Sequence, residues 1–412
     1  MEAKNAPLIR FHGYSEDWQT QKLKHLCNTF IDGDWIESKD QSKSGIRLIQ
    51  TGNIGIAKFL DKPNNAKWIS HETFESLHCN EIFHNDILIS RLPEPAGRAC
   101  LLPNLHYRCI TAVDCSIVRC NEKNDSSFIV QFLSSPKYFK EVTLLLAGGT
   151  RQRISRKNLE EITIKTPLLS EQTRIASLFT SLDKQISCSE AKLDKLRTIK
   201  KTLLKKMFAS QGEKTPQIRF KGFDGAWEEK KLVDFVHFFN GQTYTPNDVK
   251  SSGTLVLRSS NVQNDKISLD DNVFIDSSCA NVNNVKKGDI IVVVRNGSRS
   301  LIGKHAVIEK EMPDTVIGAF MTGIRSDIPY FTNALLSSHM FEKKVSENLG
   351  ATINQITGYM FERMNFNIPS LPKEQACIAS LFNSLDKQIS LQEQKIEKLK
   401  AIKKTLLKKM FV

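Results

Sequence analysis

The chain has 412 residues, of which 40% are hydrophobic and 25% are charged, and its formal net charge is +13. This composition is typical of a folded protein and excludes global disorder, and the length is sufficient for two or three domains. The excess of positive charge indicates a polyanionic partner, most often nucleic acid.

No run of apolar residues approaches the 18 or more that a membrane span needs, and residues 1–18 lack the apolar core of a signal peptide. The nine cysteines are odd in number and scattered along the chain, which argues against a disulfide framework. We therefore expect a cytoplasmic protein with reduced thiols.

The first element along the chain is an opening motif. PLIRFHGYSEDWQTQKL at residues 7–23 returns as PQIRFKGFDGAWEEKKL at residues 216–232, which marks an internal repeat. Identical residues lie 209 positions apart; among them are Pro7, Ile9, Arg10, Phe11, Gly13, Trp18 and Leu23, matched by Pro216, Ile218, Arg219, Phe220, Gly222, Trp227 and Leu232.

The segment that follows, roughly 8–166, carries short β-branched runs between Gly, Asp and Asn residues, as strands do. The second copy, roughly 217–368, matches it only in patches: RLIQTGNI with LVLRSSNV, NDILISR with GDIIVVVR, and GGTRQRIS with GATINQIT. Gly148, Gly149 and Gly350 in the last pair are typical of turns. We predict a compact α/β or mainly β domain in each copy.

Four cysteines of the first copy lie close together in sequence, at Cys100, Cys109, Cys115 and Cys120. A zinc site is one interpretation, but the close C-x-x-C pairs of such sites are missing and the second copy has no counterpart. Buried reduced thiols are the interpretation that we favour.

A second repeated block, at residues 171–208 and 374–411, is almost identical in its two copies, and no Gly or Pro interrupts it. Each copy predicts one helix of about 38 residues and about 57 Å. Glu171 and Glu374 in the first turns and lysines in the last turns suit the helix dipole. The helices are conserved between copies while the preceding segments are rewritten, which indicates one shared structural role and two separate recognition roles.

Apolar residues at two heptad positions give each helix a seam for pairing. Ser189 with Gln392, and Lys200 with Lys403, interrupt the two seams at the same places. The seam residues predicted to pair the helices or to bind a partner are Ile175, Phe179, Leu182, Ile186, Leu193, Leu196, Leu203 and Met207 in the first helix, and Ile378, Phe382, Leu385, Ile389, Ile396, Leu399, Leu406 and Met410 in the second.

We expect the two helices to pack on each other in antiparallel fashion, so that a pseudo-twofold axis relates the two copies. The alternative is that each helix docks on its own domain, although a seam of this length exceeds what one small domain covers. The predicted fold class is therefore α/β (α+β), with two globular domains joined by two long antiparallel coiled-coil helices.

Catalytic motifs are missing from the sequence. Residues 297–305, GSRSLIGKH, come nearest to a Walker A loop, but the glycines are one residue too far apart and His305 replaces Ser or Thr. There is no glycine-rich dinucleotide motif, no nucleophile elbow and no Asn-Pro-Pro-aromatic or Asp-Pro-Pro-aromatic tetrapeptide of amino-methyltransferases. The sequence is typical of a reader of DNA and not of a catalyst.

The duplicated arrangement resembles the specificity (S) subunit of type I restriction–modification enzymes over essentially the whole chain. The most specific elements are the RF-x-G-(Y/F)…W…KL opening, the EQ-x-x-IAS-LF-x-SLDKQI helix start and the IKKTLLKKMF helix end, each present twice. The resemblance implies that each variable segment is a target-recognition domain for one half of a split DNA site. It also implies an antiparallel coiled coil that sets the gap between the half-sites.

The resemblance further implies partners. Two methyltransferase (M) subunits, which carry S-adenosylmethionine and methylate adenine, are expected on the helical parts, and restriction (R) subunits join them. The chain itself is then expected to be non-catalytic, to bind double-stranded DNA, to hold no cofactor or metal, to avoid membranes and not to form a homo-oligomer in its working complex. The predicted boundaries are 1–166 for the first recognition domain, 167–210 for the central helix, 211–368 for the second domain and 369–412 for the last helix.

Candidates for DNA contact are polar residues near loops, because Arg is best suited to reading guanine and Asn or Gln to reading adenine. Asn53 and Asn261 occupy matching positions, so we interpret them as turn residues. The candidates are Arg91, Arg98, Arg151 and Arg153 in the first domain and Arg258, Arg295, Asn296, Arg299 and Lys304 in the second. For each of them the alternative is a solvated charge or a structural ion pair.

Two rival functions stay open at this point. A self-sufficient DNA methyltransferase or nuclease is disfavoured by the missing motifs. A coiled-coil scaffold without a DNA role is disfavoured by the positive charge and by the rewriting of the two domains.

Overall fold

The computed structural model describes residues 6–149, 152–349 and 354–411, and the chain forms two compact units. The first unit comprises Met1–Glu190 and Gln394–Val412, and the second comprises Ala191–Glu393. Each unit therefore contains one recognition domain, the beginning of the long helix that follows that domain in sequence, and the end of the other long helix.

The first unit is built on two main sheets, with strand orders β2-β10-β7-β8 and β3-β5-β4-β9-β6, and a two-stranded sheet β1-β11. The strands are β1 (Gln19–Lys22), β2 (Cys27–Asp32), β3 (Gln41–Ser42), β4 (Ile46–Ile49), β5 (Lys67–Ile69), β6 (Glu81–Ile82), β7 (Ile87–Ser90), β8 (Ala99–Leu101), β9 (Cys109–Thr111), β10 (Cys115–Cys120) and β11 (Thr163–Thr166). The helices are α1 (His71–Ser76), α2 (Ser126–Phe132), α3 (Pro136–Leu144), α4 (Arg156–Glu161) and the long α5 (Leu169–Lys206).

The second unit repeats this plan with sheets β13-β22-β19-β20, β14-β18-β15-β21, β12-β23 and β16-β17. The strands are β12 (Glu228–Lys231), β13 (His237–Asn240), β14 (Val249–Lys250), β15 (Thr254–Leu257), β16 (Val262–Gln263), β17 (Lys266–Ile267), β18 (Val273–Ile275), β19 (Ile290–Val293), β20 (His305–Val307), β21 (Thr315–Ile317), β22 (Met321–Arg325) and β23 (Asn365–Ile368). The helices are α6 (Pro329–Leu336), α7 (His339–Asn348), α8 (Gly358–Glu362) and the long α9 (Pro372–Met410).

The mixed helix and sheet architecture confirms the predicted fold class. The strands expected in NDILISR and GDIIVVVR are β7 and β19, and every residue of both is buried, as in strands covered on both faces. A parallel pair recurs in each unit, β4 with β9 and β15 with β21, whereas the other strand pairs of these sheets are antiparallel.

The structure confirms Asn53 and Asn261 as turn residues. Asn53 Oδ1 accepts a hydrogen bond from the Gln50 amide at 3.0 Å, and its Nδ2 donates to the Leu60 carbonyl at 2.9 Å. Asn261 makes the same two bonds, from the Arg258 amide at 2.8 Å and to the Ser268 carbonyl at 2.9 Å. Both amides are buried and satisfied by main-chain groups, so their function is to hold a loop.

The two long helices are uninterrupted, as the absence of Gly and Pro predicted, and they meet in antiparallel fashion within each unit. In the first unit Lys403 Nζ lies 2.6 Å from Asp183 Oδ1, and Lys400 Nζ lies 2.9 Å from Glu190 Oε1. Moving forward along α5 therefore means moving backward along α9.

The second unit repeats these pairs with the helices exchanged. Lys200 Nζ lies 2.7 Å from Asp386 Oδ1, and Arg197 Nη2 lies 2.7 Å from Glu393 Oε1. The aspartates belong to the two SLDKQIS blocks and the lysines to the two IKKTLLKKMF blocks. The polar interruptions at Lys200 and Lys403 are thus ion-pair partners of the other helix, which explains why both blocks are identical in the two copies.

The seam residues lie on the covered sides of the helices. Ile175, Phe179, Leu182, Leu407 and Met410 share one buried cluster with the first domain. The predicted seam residues are buried except for four that are half-buried, namely Ile186, Leu203, Leu399 and Leu406. The beginning of α5 therefore docks on its own domain, and both packing alternatives hold in part.

A junction joins the three repeated motifs in the first unit. The Arg10 guanidinium donates from Nε and Nη2 to the two carboxylate oxygens of Glu171, both at 2.8 Å, and Glu171 is 1% exposed. The hydrogen bonds to Glu171 raise the pKa of Arg10. Phe411, after the end of α9, lies against Phe128 and stacks on Phe179 with ring centroids 5.9 Å apart.

The second unit has the same junction, with Phe208 from the end of α5. Arg219 donates from Nε and Nη2 to Glu374 at 2.7 and 2.8 Å, and Glu374 is 1% exposed. Phe208 stacks on Phe382 at 6.1 Å and packs edge-on against Trp227 at 6.5 Å. Each long helix thus begins in the core of one unit and ends in the core of the other.

We expect Glu171→Gln to lower the free energy of unfolding of the first unit by roughly 3 kcal/mol, because it leaves a mostly buried guanidinium without its charge partner. Glu374→Gln should act in the same way on the second unit. Chemical denaturation of the full chain, monitored by hydrogen exchange in each unit, measures the loss. Glu347→Gln, in the exposed pair with Lys343, is the matched control and should change stability by less than about 0.5 kcal/mol. An equal loss in the control would contradict the junction's role.

Candidate nucleic-acid interface

The clearest group of candidate DNA-contacting residues lies where β19 ends in the second domain. Arg295 is exposed, and its guanidinium lies 5.0 Å from the ring centroid of Phe320, which is itself 55% exposed. The Arg295 amide donates to the Phe320 carbonyl at 3.2 Å. A cation–π contact of this kind orients an arginine while its hydrogen-bond donors stay available.

Asn296 joins this group to a neighbouring loop. Its Nδ2 donates to Ser259 Oγ at 3.0 Å, and its Oδ1 accepts from the Ser298 amide at 2.9 Å. Arg258, the residue before Ser259, is half-buried and donates to Asp271 Oδ2 at 2.8 Å. The fold therefore brings Arg258, Arg295 and Asn296 together from two loops that are far apart in sequence. We call these residues and their immediate neighbours the Arg295 group.

The two other candidates of the second domain lie further along the same loop. Arg299 is exposed, and its Nη2 approaches the Ser346 and Leu349 carbonyls at the end of α7 at 3.5 and 3.4 Å. Lys304 is exposed at the start of β20, and its main chain pairs with Val293. Arg299 is held near α7, and Lys304 lies at the far end of the loop.

The candidates of the first domain differ in their surroundings. Arg98 is 9% exposed, and its guanidinium donates to the carbonyls of Thr51, Ile54, Leu92 and Pro95 at 2.6–2.9 Å. Burial lowers the pKa of Arg98. A guanidinium with four main-chain acceptors holds together the two stretches 51–54 and 92–95, so the structural alternative describes Arg98 well.

Arg91 is also buried, at 5% exposure. It donates from Nη2 to the Val113 carbonyl at 2.6 Å, and its Nε lies 3.4 Å from Asp32 Oδ1. Arg153 forms an isolated β-bridge with Ala147, and its side chain is exposed. Arg151 lies outside the described residues.

The register of the two sheets explains why Arg91 is buried and Arg295 is exposed. Ser90 opposes Cys115 in the first domain, and Val293 opposes Met321 in the second. The Arg91 carbonyl accepts from the Ile154 amide, and at the equivalent place the Val294 carbonyl accepts from the Ile356 amide. Arg91 therefore corresponds to Val294, so the arginines that end NDILISR and GDIIVVVR differ by one residue in register. A shift of one residue along a strand reverses the side to which a side chain points.

Sequence reasoning missed three residues of the Arg295 group. Phe320 supports the guanidinium, Gln355 forms a β-bridge with Arg295, and Asn354 Nδ2 donates to the Gly297 carbonyl at 2.9 Å. A signal existed for two of them, because Asn354 and Gln355 lie in the repeated GATINQIT patch. No sequence pattern marked Phe320.

The cysteine group of the first domain consists of free thiols. Burial raises the pKa of Cys100, Cys109 and Cys115 to about 12 each. Among the residues that the structure describes, no group of three or more His, Cys, Asp or Glu side chains is arranged to hold a metal ion. No helix within the described ranges is long and apolar enough to cross a membrane.

The Arg295 group presents guanidinium and amide donors on exposed loops, beside the Ser259 hydroxyl and the Asp271 carboxylate. Arginine and asparagine read guanine and adenine edges in the major groove by paired hydrogen bonds. The donors of this surface are of the type that suits a polyanion with hydrogen-bonding bases.

Comparison with known proteins gives the class. The family profile described as "Type I restriction modification DNA specificity domain" matches residues 15–198 and 225–401. The chain belongs to this family and carries two copies of its domain. Specificity subunits are the DNA-recognition components of type I restriction enzymes and not the catalytic ones, so the prediction of a non-catalytic chain is confirmed.

The chain is similar to particular members of the family. It is 24% identical over 247 residues to the EcoKI specificity subunit of Escherichia coli (strain K12), covering 57% of this chain and 53% of that protein. It is 24% identical over 268 residues to the MjaVIII specificity subunit of Methanocaldococcus jannaschii, covering 62% of each. The chain thus matches between about half and two thirds of the length of these relatives.

The fold is also that of solved structures. The S subunit of the type I system of M. genitalium superposes with a TM-score of 0.67 at 15% identity and covers 99% of both chains. A second match, from a study of complex assembly in the type I system, has a TM-score of 0.53 at 15% identity and covers 95% of this chain and 96% of the other. These likenesses establish the fold.

We expect Arg98→Met to lower the free energy of unfolding by roughly 2–4 kcal/mol, because four main-chain carbonyls lose their donor. Arg153→Met, at an exposed position of the same domain, is the control and should change stability by less than about 0.5 kcal/mol. Thermal and urea unfolding measure both. If Arg98→Met left stability unchanged, the structural role of Arg98 would be wrong.

Proposed function

We propose that the chain is a sequence-specific reader of double-stranded DNA, in which each recognition domain contacts one half of a bipartite target. The observation that carries this proposal is one duplicated frame with two different sets of loops. The junction and the helix pairing repeat almost atom for atom, whereas the loop after β19 carries Arg295, Asn296 and Arg299 and the loop after β7 carries Leu92, Pro93 and Pro95. The net charge of +13 supports a polyanionic target.

In this proposal α5 and α9 form the antiparallel coiled coil that sets the gap between the two half-sites. The Asp183–Lys403 and Asp386–Lys200 pairs support it, because each fixes the register of one helix against the other. A polar residue such as lysine at a seam position is a known means of specifying register.

The chemistry in this proposal comes from partners. Two methyltransferase subunits, carrying S-adenosylmethionine, methylate adenine at the target, and restriction subunits cut unmodified DNA. This chain holds no cofactor, and one copy of it serves the complex. The duplicated frame supports two equivalent partner sites.

Methylome mapping tests the bipartite proposal. In cells that express the chain with its methyltransferase partner, we expect methylation at a two-part sequence with a fixed spacer. Arg295→Ala should relax the sequence of one half only, with a loss of about 1–3 kcal/mol at one base pair, because a single base-reading contact is removed. The other half and the spacer should be unchanged.

Lys287→Ala, an exposed lysine of the same domain, is the control and should preserve both halves. A target without two parts, or relaxation of both halves by Arg295→Ala, would contradict independent reading by the two domains.

The partner sites have a structural candidate on the long helices. Ile199 and Ile402 are the same residue of the two copies, and they are 47% and 49% exposed although they lie in helices. Leu391 on α9 is 65% exposed. The antiparallel course brings Leu391 beside Ile199, since Arg197 and Glu393 are paired two residues away from each. The isoleucine recurs in the first unit, with the exposed Cys188 in the place of Leu391. An exposed apolar residue that recurs by symmetry is typical of a surface for two copies of one partner.

We expect Ile199→Asp to remove one methyltransferase subunit from the complex and the double variant with Ile402→Asp to remove both, because a charge enters an apolar interface. Mass photometry of the co-expressed complex counts the subunits. Leu144→Asp, at a 79% exposed position of α3, is the control and should retain both. Retention of two subunits by the double variant would refute this assignment of the surface.

A further inference from the structure

A hairpin of the second domain contacts both long helices. Strands β16 and β17 pair at Val262 with Ile267 and at Gln263 with Lys266. The two residues between them, Asn264 and Asp265, have φ values of 51° and 59°. Asn and Asp are the residues, after Gly, that tolerate this left-handed conformation best, so the local sequence suits a tight two-residue turn.

The tip of the hairpin completes a network of charges with the helices. Asp265 Oδ2 lies 3.5 Å from Lys200 Nζ, which is itself paired with Asp386 at 2.7 Å. Lys266 Nζ lies 3.1 Å from Glu393 Oε2, whose other oxygen is paired with Arg197. Asp265 and Lys266 thus bind charged residues that already pair α5 with α9.

The environment of the network makes these contacts more than loose surface pairs. The Lys200 side chain is 13% exposed, so water screens it only in part. Partial burial acts to raise the pKa of Glu393, but the hydrogen bonds from Lys266 and Arg197 hold that pKa below its ordinary value. Networks of several charges hold geometry better than isolated exposed pairs do.

The first domain has a turn at the matching place, but without ion pairs to the helices within the part of the chain that the structure describes. Its loop 54–60 has the same length and the same asparagine at its base, and Ala57, with φ of 52°, takes the place of Asp265. Ala57 packs against the apolar core and donates its amide to the Ala99 carbonyl at 2.8 Å. Lys58, the counterpart of Lys266, is exposed and has no carboxylate within 4.0 Å among the described residues. The ion pairs between this hairpin and the helices are therefore a feature of the second unit.

We propose that the β16–β17 hairpin is a brace that fixes the second recognition domain on the helix pair and so narrows the range of spacer lengths that the protein accepts. The effect on spacer length rests on the proposed bipartite function. Asp265 and Lys266 are positioning residues in this proposal and do not touch DNA. Because the matching loop of the first domain shows no such ion pairs among the described residues, weakening the brace affects one domain only.

The first arm of the test needs no DNA. Asp265→Asn with Lys266→Gln removes both charges and keeps a residue that tolerates the turn, and Lys58→Gln is the matched control in the first unit. Hydrogen exchange of the full chain should show amides 262–267 exchanging roughly three- to tenfold faster in the double variant, and unchanged in the control. Unchanged exchange in the double variant would overturn the brace, whatever the protein does on DNA.

The second arm measures methylation by the complex with its methyltransferase partner. The probes are duplexes that carry the mapped half-sites with the natural spacer or with one base pair added or removed. The wild-type chain should methylate the duplex with the natural spacer much faster than the other two duplexes. In the double variant this ratio of rates should fall several-fold, with the half-site sequences unchanged. Faster exchange with an unchanged preference for the natural spacer would overturn the positioning role. Failure of the wild type to prefer any spacer would overturn the bipartite function, while the exchange arm would still decide on the brace.

Discussion

The rest of the structure depends on the junction in which an arginine of the opening motif, a glutamate of the helix start and a phenylalanine of the other helix end meet. Arg10 with Glu171 and Arg219 with Glu374 are buried bidentate pairs, which lose much of their stability if either partner changes. Phe411 and Phe208 carry the end of one long helix into the core that holds the beginning of the other. Three distant stretches of sequence must therefore keep their contact residues together, and this accounts for the recurrence of the arginine, the glutamate and the phenylalanine in both copies.

The same constraint leaves the loops of the recognition domains free to differ. The ion pairs that stabilise the two domains are repeated. Arg119 donates to Asp86, and Arg325 donates to Asp289, in bidentate pairs at equivalent places. Because the sheets are stabilised by these pairs and by buried apolar strands, the segments after β7 and β19 can have different lengths and residues. A protein that must acquire new DNA targets while retaining its partners benefits from this division.

Particular residues show how far the sequence predicts the site. The long helices, the strands β7 and β19 and the turns at Asn53 and Asn261 follow from periodicity and from repetition. The candidate DNA-contacting residues were predicted less well, because residue type does not distinguish an exposed arginine from one that donates to main-chain carbonyls. Arg98 has four main-chain acceptors, Arg91 is buried by a register one residue different from that of Arg295, and Phe320 gave no signal at all.

The sequence by itself determined the duplicated frame, the length and polarity of the helices, the apolar seams with their shared interruptions and the family. These are local or periodic properties, and a repeat makes them visible without coordinates. Only the tertiary structure decided that Lys200 and Lys403 are ion-pair partners, that the beginning of α5 is also part of its own domain's core, and which arginines face outward. Those properties depend on contacts between residues about 150 to 220 positions apart and on strand register, neither of which a local pattern encodes.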